Sequence, residues 1–402
     1  MKYLKRHVEN KLHDYLKIFP AVALTGPRQS GKSTTLRTIF GDKYKYITFD
    51  DPLNIEFLES DPRGFMAQCN DRVIFDEVQK VPVLFNYLKM EIDNNRSDYG
   101  RYILTGSSQF TLLKSITESL AGRIGLLSLL PFQRSELPDV FVSRHILYGG
   151  YPELIVRDYA SVREWYGSYI TNYVERDVRT LHNVGNLREF HRLIILLAGR
   201  VSCELNMSEL AKEIGVTVKT IQSWLSILEA SYIIFFLTPF YSNFGKRIVK
   251  RPKVYFYDTG IVCYLTGIQN QDILWKGPSS GQIFENYIVA EIKKNFMHIA
   301  ANAELFYFRD NLGLECDLII ENKNERILRF VEIKSSQTPR REMVKSLQSL
   351  FSNKKMAKFF SLYDVVGLLI YRGLEEGSFS DNINFKNYSA FLKEIGAGID
   401  VR

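Results

Sequence analysis

One short stretch near the N-terminus constrains the fold of this chain more than any other feature. Residues 26–34 match the pattern G-x-x-x-x-G-K-S/T; they follow the apolar run Ala21–Leu24 and precede a helical pattern over residues 35–40. This strand–loop–helix order predicts a phosphate-binding loop, because glycines let successive backbone N–H groups converge on one phosphate chain at a helix N-terminus. The residues expected to bind the phosphates are Gly26, Pro27, Arg28, Gln29, Ser30, Gly31, Lys32, Ser33 and Thr34.

Two side chains of this loop and two acids farther along the chain have expected chemical roles. Lys32 is predicted to reach the β- and γ-phosphates of a nucleotide, and the Ser33 hydroxyl is predicted to bind Mg²⁺. A second apolar run, Arg72–Phe75, ends in Asp76 and Glu77. Asp76 is expected to hold the hydrated Mg²⁺, and Glu77 to polarise the attacking water as a general base. The pattern therefore predicts ATP and Mg²⁺ as cofactors, with Lys32 and Glu77 as catalytic residues.

Two further signals lie between Glu77 and residue 130. The run Arg101–Leu104 ends in Thr-Gly-Ser-Ser (residues 105–108), which either senses the γ-phosphate or forms a capping turn. Arg123, within Ala-Gly-Arg-Ile, is a candidate catalytic residue as a phosphate-sensing or finger arginine. A plain surface arginine is the alternative.

Short apolar runs alternate with helical patterns over residues 20–150, which predicts a parallel α/β sheet. The five expected strands are Ala21–Leu24, Lys45–Phe49, Arg72–Phe75, Arg101–Leu104 and Gly125–Leu129. The chain has 402 residues, which indicates two to four domains. Its longest apolar runs are far shorter than the ~18 residues of a membrane span, and its N-terminus mixes both charges. We therefore expect a cytoplasmic protein without a signal peptide or membrane contact.

Residues 206–255 change character and predict a winged helix. Two short helical patterns are separated by Gly215, and an apolar strand over 232–237 precedes residues 245–253, which hold five basic residues and no acid. Lys219, Gln222 and Ser226 are expected to face outward from the second helix, where they can meet phosphates or base edges. DNA binding through this helix and the basic wing is one hypothesis, and a packing module without DNA contact is the alternative. The net charge of +7 permits DNA binding without requiring it.

A third group of residues is spread over the C-terminal third of the chain. Glu285 is expected on a helix, Asp317 on a strand, and Glu332 and Lys334 on one face of the next strand, since strand side chains alternate. Two carboxylates beside a lysine predict a Mg²⁺ site with Asp317 and Glu332 as ligands. The order helix-Glu, Asp, Glu-x-Lys is that of the PD-(D/E)xK nucleases. An ordinary set of surface salt bridges is the alternative.

The chain as a whole resembles the bacterial and archaeal proteins of the AAA_14/DUF4143 family, which join an AAA-type ATPase domain to a C-terminal domain of unknown function. The stretches that carry the resemblance read GPRQSGKST, FDDP, VIFDEVQKVPVL, YILTGSS, AGRI, GGYPE, YVERDV and KVYFYDTG, together with Glu285, Asp317, Glu332 and Lys334. The resemblance implies an AAA-like ATPase, a winged helix and a restriction-endonuclease-like domain, in the same order as the motifs.

We therefore expect a chain of four parts. They are a P-loop AAA-like α/β domain with a parallel sheet over 1–155, a helical lid or connector over 156–205, a winged helix-turn-helix over 206–255, and an α+β nuclease-like domain over 256–402. The expected function is ATP binding and hydrolysis coupled to nucleic-acid engagement, with a Mg²⁺-dependent nuclease domain. The alternative is a nucleotide-gated protein-interaction switch with a non-catalytic C-terminal domain. Besides DNA, a second copy of the chain is a candidate partner.

Overall fold

Five short strands form a parallel sheet at the N-terminal end of the chain. A computed structural model describes residues 3–106, 119–174, 186–240, 251–311, 313–353 and 360–396. The strands of the first sheet are β1 (Ala21–Thr25), β2 (Lys45–Thr48), β3 (Val73–Asp76), β4 (Tyr102–Thr105) and β5 (Ile124–Ser128). They pair in parallel in the order β2-β3-β4-β1-β5. The five predicted strands and their parallel arrangement are confirmed.

Apolar side chains cover both faces of this sheet. Val22 and Ile74 belong to one buried layer, whereas Ala23 and Phe75 belong to the other, because successive residues of a strand point to opposite faces. The helices of this part of the chain are α1 (Val8–Tyr15), α2 (Lys32–Phe40), α3 (Pro52–Ser60), α4 (Pro62–Ala67) and α5 (Leu84–Asn94). Both faces of the sheet are thus covered by apolar side chains, and functional residues are expected at the ends of its strands.

The middle of the chain is helical. Its helices are α6 (Val142–Tyr148), α7 (Pro152–Val156), α8 (Val162–Tyr169), α9 (Leu187–Gly199), α10 (Met207–Ile214) and α11 (Val218–Ala230). Helix α10 begins where the Asn206 side chain accepts a hydrogen bond from the Glu209 N–H, and it ends at Gly215 in the left-handed conformation. The Thr217 side chain then caps α11 by accepting from the Thr220 N–H. The predicted helix pair is present, with the expected turn and caps.

A second, mixed sheet of eight strands holds the C-terminal part together. Its strands are β6 (Ile234–Pro239), β7 (Lys253–Phe256), β8 (Glu304–Arg309), β9 (Glu315–Asn322), β10 (Ile327–Lys334), β11 (Asp364–Tyr371), β12 (Gly377–Ser380) and β13 (Ile383–Asn387). They pair in the order β12-β13-β11-β10-β9-β8-β6-β7. The helices here are α12 (Thr259–Leu265), α13 (Gln271–Lys276), α14 (Ser280–Ile299), α15 (Lys345–Phe351) and α16 (Tyr388–Gly396).

The hairpin β6–β7, expected as part of a separate winged helix, continues into this second sheet. Strand β6 pairs in parallel with β8, and a single buried cluster extends from Leu130 to Ile395. The predicted boundary at residue 255 falls inside β7, and the one at 155 falls inside α7. The chain is therefore not divided at these two positions, because backbone hydrogen bonds and a shared core cross them. In the part of the chain that the structure describes, no helix has the length and apolar character needed to cross a membrane.

Candidate functional site

The phosphate-binding loop leaves the carboxyl end of β1 and enters α2 at Lys32. Gly26 has a φ angle of 144° and Gly31 one of 94°, which residues with side chains rarely adopt. A Cβ atom at Gly26 would also overlap the carbonyl oxygen of Leu129. The backbone therefore requires both glycines of the motif. The loop ends at the N-terminus of a helix, where N–H groups and the helix dipole favour an anion.

The Lys32 side chain is buried and is bonded to the loop itself. Its Nζ donates to the carbonyl oxygens of Gly26, at 3.0 Å, and Pro27, at 2.9 Å. Burial lowers the pKa of Lys32 to about 8, although the nearby carboxylates of Glu77 and Asp76 act in the opposite direction. A bound phosphate would give this ammonium a charged acceptor, which forms a stronger hydrogen bond than a neutral carbonyl does.

Asp76, at the end of β3, is the acceptor for three hydroxyl groups. Ser33 Oγ donates to Asp76 Oδ2 at 3.1 Å, the Tyr46 hydroxyl donates to the same oxygen, and the Thr105 hydroxyl donates to Oδ1. Ser33 and Asp76 thus lie together, as their predicted joint role requires. A hydroxyl and a carboxylate oxygen side by side at the phosphate end of the sheet suit Mg²⁺, which prefers oxygen ligands.

Glu77 and Thr105 occupy the same edge of the sheet. Glu77 has a left-handed backbone with φ of 59° and ψ of 41°, a conformation that costs a non-glycine residue ~1 kcal/mol or more. Its carboxylate accepts a hydrogen bond from the Gln79 side chain. Thr105 contacts Asp76, so this member of the predicted Thr-Gly-Ser-Ser sensor lies at the site. Residues 107 and 108 of that motif fall in a gap between the described ranges.

Two side chains from distant parts of the sequence also contact the loop, and sequence reasoning missed both. The buried Arg6 guanidinium donates to the carbonyl oxygen of Ser30 at 3.1 Å. The Tyr232 hydroxyl lies 2.7 Å from Thr25 Oγ1 at the end of β1. Neither residue belongs to a local sequence pattern, so its contact with the loop can be identified only in the folded chain.

Arg123 does not lie at the phosphate site of its own chain. It precedes Ile124, which pairs with Ala21 at the start of β1, whereas the loop follows Thr25 at the other end of that strand. At ~3.3 Å per strand residue the two ends are roughly 13 Å apart. Arg123 instead forms two hydrogen bonds to Asp93, at 2.8 and 2.9 Å. Its predicted phosphate-sensing role within the chain is therefore wrong, and a role as a finger toward a second copy stays a prediction.

In the C-terminal sheet, Asp317 of β9 and Glu332 and Lys334 of β10 come together. Lys334 Nζ donates to Asp317 Oδ2 at 3.0 Å and to Glu332 Oε2 at 2.7 Å. Asp317 Oδ2 also accepts from the backbone N–H of Ile333 at 2.8 Å. Both carboxylates are buried. The predicted common face of Glu332 and Lys334 is confirmed by their direct contact.

Glu285, on α14, approaches this group together with residues that were not predicted as part of it. Lys253 Nζ, from β7, lies 3.2 Å from Glu285 Oε1 and 2.8 Å from Glu315 Oε1. The Tyr255 hydroxyl donates to Glu285 Oε1 at 2.6 Å. Lys253 was expected as the last basic residue of the wing, which either contacts DNA or serves as a packing module; it is buried between two acids. Together, these residues and the Asp317, Glu332 and Lys334 group form what we call the C-terminal acid cluster.

Burial and neighbouring charges shift the pKa values of the C-terminal acid cluster. Burial raises the pKa of Glu285 to about 7, and burial together with the adjacent aspartate raises that of Glu332. Burial by itself would lower the pKa of Lys253 and Lys334, but the surrounding carboxylates hold both above their usual range. With every group ionised, the four carboxylates of the cluster outnumber its two ammonium groups by two. The Arg309 guanidinium, 4.0 Å from Glu315 Oε2, offsets part of this excess, and a bound cation would offset the rest.

The residues of this cluster suit a hydrated cation better than a closed ligand cage. Across the ranges that the structure describes, no group of three or more His, Cys, Asp or Glu side chains is arranged to hold a metal ion. Proteins commonly bind Mg²⁺ through one or two carboxylates while it keeps several waters, and the pair Asp317 and Glu332 is compatible with that. A metal site that also includes Glu285 stays a prediction.

The helix pair leaves a polar face exposed. On α11, the exposed positions include Lys219, Gln222 and Ser226, whereas the buried residues of the helix are Ile221, Trp224, Leu225, Ile227 and Leu228. Most of the predicted basic wing (Lys246, Arg247 and Lys250) lies in residues 241–250, outside the described residues. The winged-helix assignment and its DNA contact therefore stay predictions.

Three family models match successive parts of the chain. An AAA domain (AAA_14) matches residues 19–137, a domain of unknown function (DUF8612) matches 141–272, and a second domain of unknown function (DUF4143) matches 280–391. The first match confirms the prediction of an AAA-type P-loop domain built on a parallel sheet. The third match confirms the DUF4143 assignment for the C-terminal part.

Two relatives align with most of the chain. The uncharacterized protein Rv2008c of Mycobacterium tuberculosis and the uncharacterized protein Mb2031c of Mycobacterium bovis are each 30% identical to it over 362 residues. The alignment covers 89% of this chain and 80% of each relative. Among solved structures, a Walker-type ATPase of Pyrococcus abyssi is 17% identical, with a TM-score of 0.45 over 65% of this chain and 96% of that one. AMPPCP-bound DnaA from Aquifex aeolicus is 14% identical, with a TM-score of 0.28 over 55% of this chain and 85% of that one.

Proposed function

This chain belongs to the AAA_14/DUF4143 family, and from that premise we propose that it binds ATP with Mg²⁺ and hydrolyses it at the phosphate-binding loop. The observation that carries the proposal is the environment of Lys32. Its buried ammonium is bonded to two neutral carbonyl oxygens at the N-terminus of α2. A triphosphate would supply the anion that this arrangement favours.

The side chains around the loop have distinct roles in this proposal. Ser33 and Asp76 would hold Mg²⁺, which when bound would neutralise part of the phosphate charge. Lys32 turns from the carbonyl oxygens to the β- and γ-phosphates. Glu77 accepts the proton of the attacking water, since it follows Asp76 on the same strand end. Thr105 holds the Asp76 carboxylate in place through its hydrogen bond.

A comparison of ATP binding and phosphate release tests the assignment of Glu77. In Glu77→Gln the affinity for ATP should be kept, whereas turnover should fall by at least about 100-fold, because the amide cannot accept the proton. Glu56→Gln, which changes an exposed glutamate of α3, should leave both unchanged. Turnover of Glu77→Gln at the wild-type rate would overturn the general-base role, and absence of ATP binding by the wild type would overturn the proposed function.

We further propose that the nucleotide state controls engagement of nucleic acid by the helix pair and the basic residues that follow β6. The exposed polar face of α11, with Lys219 and Gln222, supports this. Because phosphate contacts release counterions, DNA affinity should fall steeply with salt, and replacing Lys246, Arg247, Lys250 and Arg251 with alanine should flatten that slope. An unchanged slope would favour the second candidate, a nucleotide-gated switch that recognises a protein.

For the C-terminal acid cluster we propose metal-dependent cleavage of a phosphodiester. The contact of Lys334 with both Asp317 and Glu332 favours this, since two carboxylates beside a lysine can hold a cation and steady the charge of the reacting phosphate. Single-stranded, duplex and branched DNA should be cleaved with Mg²⁺ or Mn²⁺ by the wild type, but not by Asp317→Ala or Lys334→Ala.

The same variants separate catalysis from loss of folding. Asp317→Ala should also weaken Mn²⁺ binding measured by titration while ATP hydrolysis continues, and Asp381→Ala, at an exposed turn, should change neither. If the wild type neither binds Mn²⁺ at this cluster nor cleaves any of the three substrates, the cluster is a structural ion-pair network. The C-terminal domain is then non-catalytic.

A further inference from the structure

Tyr232 connects the helix pair to the first sheet, although it belongs to no motif. It follows the end of α11 in a left-handed conformation with φ of 57°, which is rare for a bulky residue. The turn is held by hydrogen bonds of 3.0 Å from the N–H groups of Tyr232 and Ile233 to the carbonyl oxygens of Glu229 and Leu228. The position of the Tyr232 ring is therefore tied to the last turn of α11.

The hydroxyl of Tyr232 is fixed at the base of the phosphate-binding loop. It lies 2.7 Å from Thr25 Oγ1 and 3.2 Å from Ser128 Oγ. Thr25 Oγ1 donates its own proton to the carbonyl oxygen of Leu127 at 3.1 Å, so Tyr232 is the donor toward Thr25. The tyrosine thus binds the ends of β1 and β5 at the point where the loop begins. The ring is buried, so water does not compete for these bonds.

The residue that Tyr232 holds is adjacent to the carbonyl group that Lys32 contacts. Thr25 precedes Gly26, whose carbonyl oxygen accepts from Lys32 Nζ. A bound phosphate competes for the same ammonium, so the Gly26 carbonyl changes its hydrogen bonding when nucleotide binds. A Cβ atom placed on Gly26 would overlap the Leu129 carbonyl oxygen, and the Leu129 N–H donates to the Thr25 carbonyl oxygen at 2.8 Å, so the start of the loop is closely packed against the end of β5. Thr25 and the Tyr232 hydroxyl bonded to it are the groups next to the Gly26 carbonyl in the contact network.

We propose that Tyr232 is a positioning residue that couples nucleotide occupancy of the loop to the stability of α11. The proposal rests on the proposed function only in requiring that the loop binds ATP. The path runs from Lys32 through Gly26 and Thr25 to Tyr232 and the end of α11. Because such coupling is reciprocal, stabilising α11 also changes the affinity for nucleotide.

Two tyrosine variants that each lose one buried hydroxyl test this coupling. Tyr232→Phe removes the bond to Thr25 and keeps the ring. Tyr257→Phe is the matched control, because that buried ring packs at 6.0 Å from Tyr232 but its hydroxyl donates to Met297 Sδ instead of the loop. Hydrogen exchange of the amides of residues 218–230 is measured in the full chain with and without AMPPCP and Mg²⁺, and nucleotide affinity is measured by titration.

In the wild type and in Tyr257→Phe, nucleotide binding should change the hydrogen-exchange rates of the α11 amides by at least about fivefold. This is the lower end of the coupling usually found between two sites in one protein. In Tyr232→Phe this response should be mostly lost while AMPPCP still binds. Thr25→Val, which removes the partner hydroxyl from the other side, should give the same loss. An equal response in Tyr232→Phe, or AMPPCP binding to the wild type with no response in α11, overturns the coupling alone. Absence of binding by the wild type overturns the proposed function as well.

Discussion

Two sites in the described part of the chain place buried or half-buried lysines near carboxylates, and these two sites differ in what the lysines are bonded to. At the phosphate-binding loop, Lys32 donates to backbone carbonyl oxygens, and burial lowers its pKa to about 8. In the C-terminal acid cluster, Lys334 and Lys253 each contact two carboxylates, and those carboxylates hold their pKa values above the usual range.

This difference indicates which charge each site lacks. The first site presents an ammonium group and a helix N-terminus to an incoming ligand, so it is complementary to an anion. The second site has already paired its ammonium groups and has more carboxyl groups than ammonium groups, so in its ionised form it is complementary to a cation. The same residue type therefore serves opposite ligands, and its hydrogen-bond partners tell the two cases apart.

The largest effect is expected at the first site. Lys32→Ala removes two charge-assisted hydrogen bonds of ~2 kcal/mol each, so ATP affinity should fall by about 1,000-fold. The measurement is nucleotide titration by calorimetry. Lys45→Ala, at an exposed lysine of β2, is the control and should bind ATP like the wild type. A loss of less than about tenfold in Lys32→Ala would mean that Lys32 does not contribute the main contacts to the phosphates.

The two sites should also respond in opposite ways when a lysine is replaced by an isosteric apolar residue. Lys253→Met leaves the half-buried carboxylates of Glu285 and Glu315 without their shared cation, so the free energy of unfolding should fall by ~2 kcal/mol. Lys32→Met removes a buried charge bonded only to neutral oxygens, so without nucleotide it should change stability by less than ~1 kcal/mol or raise it. Urea unfolding of both variants measures this, and equal losses would break the contrast between the sites.

The smallest effect concerns pH. Phosphate binding needs the protonated form of Lys32, whose pKa lies at about 8 in the free protein. The affinity for phosphate is therefore highest below about pH 8 and falls as the pH rises through that value. Between pH 7 and 9, affinity for ADP without metal should fall by about tenfold, since each pKa unit corresponds to ~1.4 kcal/mol. Lys32→Arg keeps its charge and should lose this dependence. A flat wild-type profile would place the pKa of Lys32 well above 9.

Much of the first site could be predicted because its signals are local. The loop glycines, Lys32 and Ser33 lie within one stretch, and their role follows from backbone geometry that neighbouring residues impose. Asp76 was predictable for a related reason, since parallel strands deliver their carboxyl ends to one edge of the sheet. Arg123 was wrongly placed because it precedes the predicted strand Gly125–Leu129, and the start of a parallel strand lies at the sheet edge opposite the loop.

The sequence by itself therefore determined the parallel sheet, the phosphate-binding loop and the strand that carries Glu332 and Lys334, because periodicity and short motifs act over a few residues. Only the tertiary structure decided that Tyr232 meets Thr25, that Lys253 is buried between Glu285 and Glu315, and that the hairpin β6–β7 joins the C-terminal sheet. These contacts join residues that lie far apart in the chain. The sequence around a hydroxyl or ammonium group does not identify its distant hydrogen-bond partner, because the packing of whole helices and strands decides which groups meet.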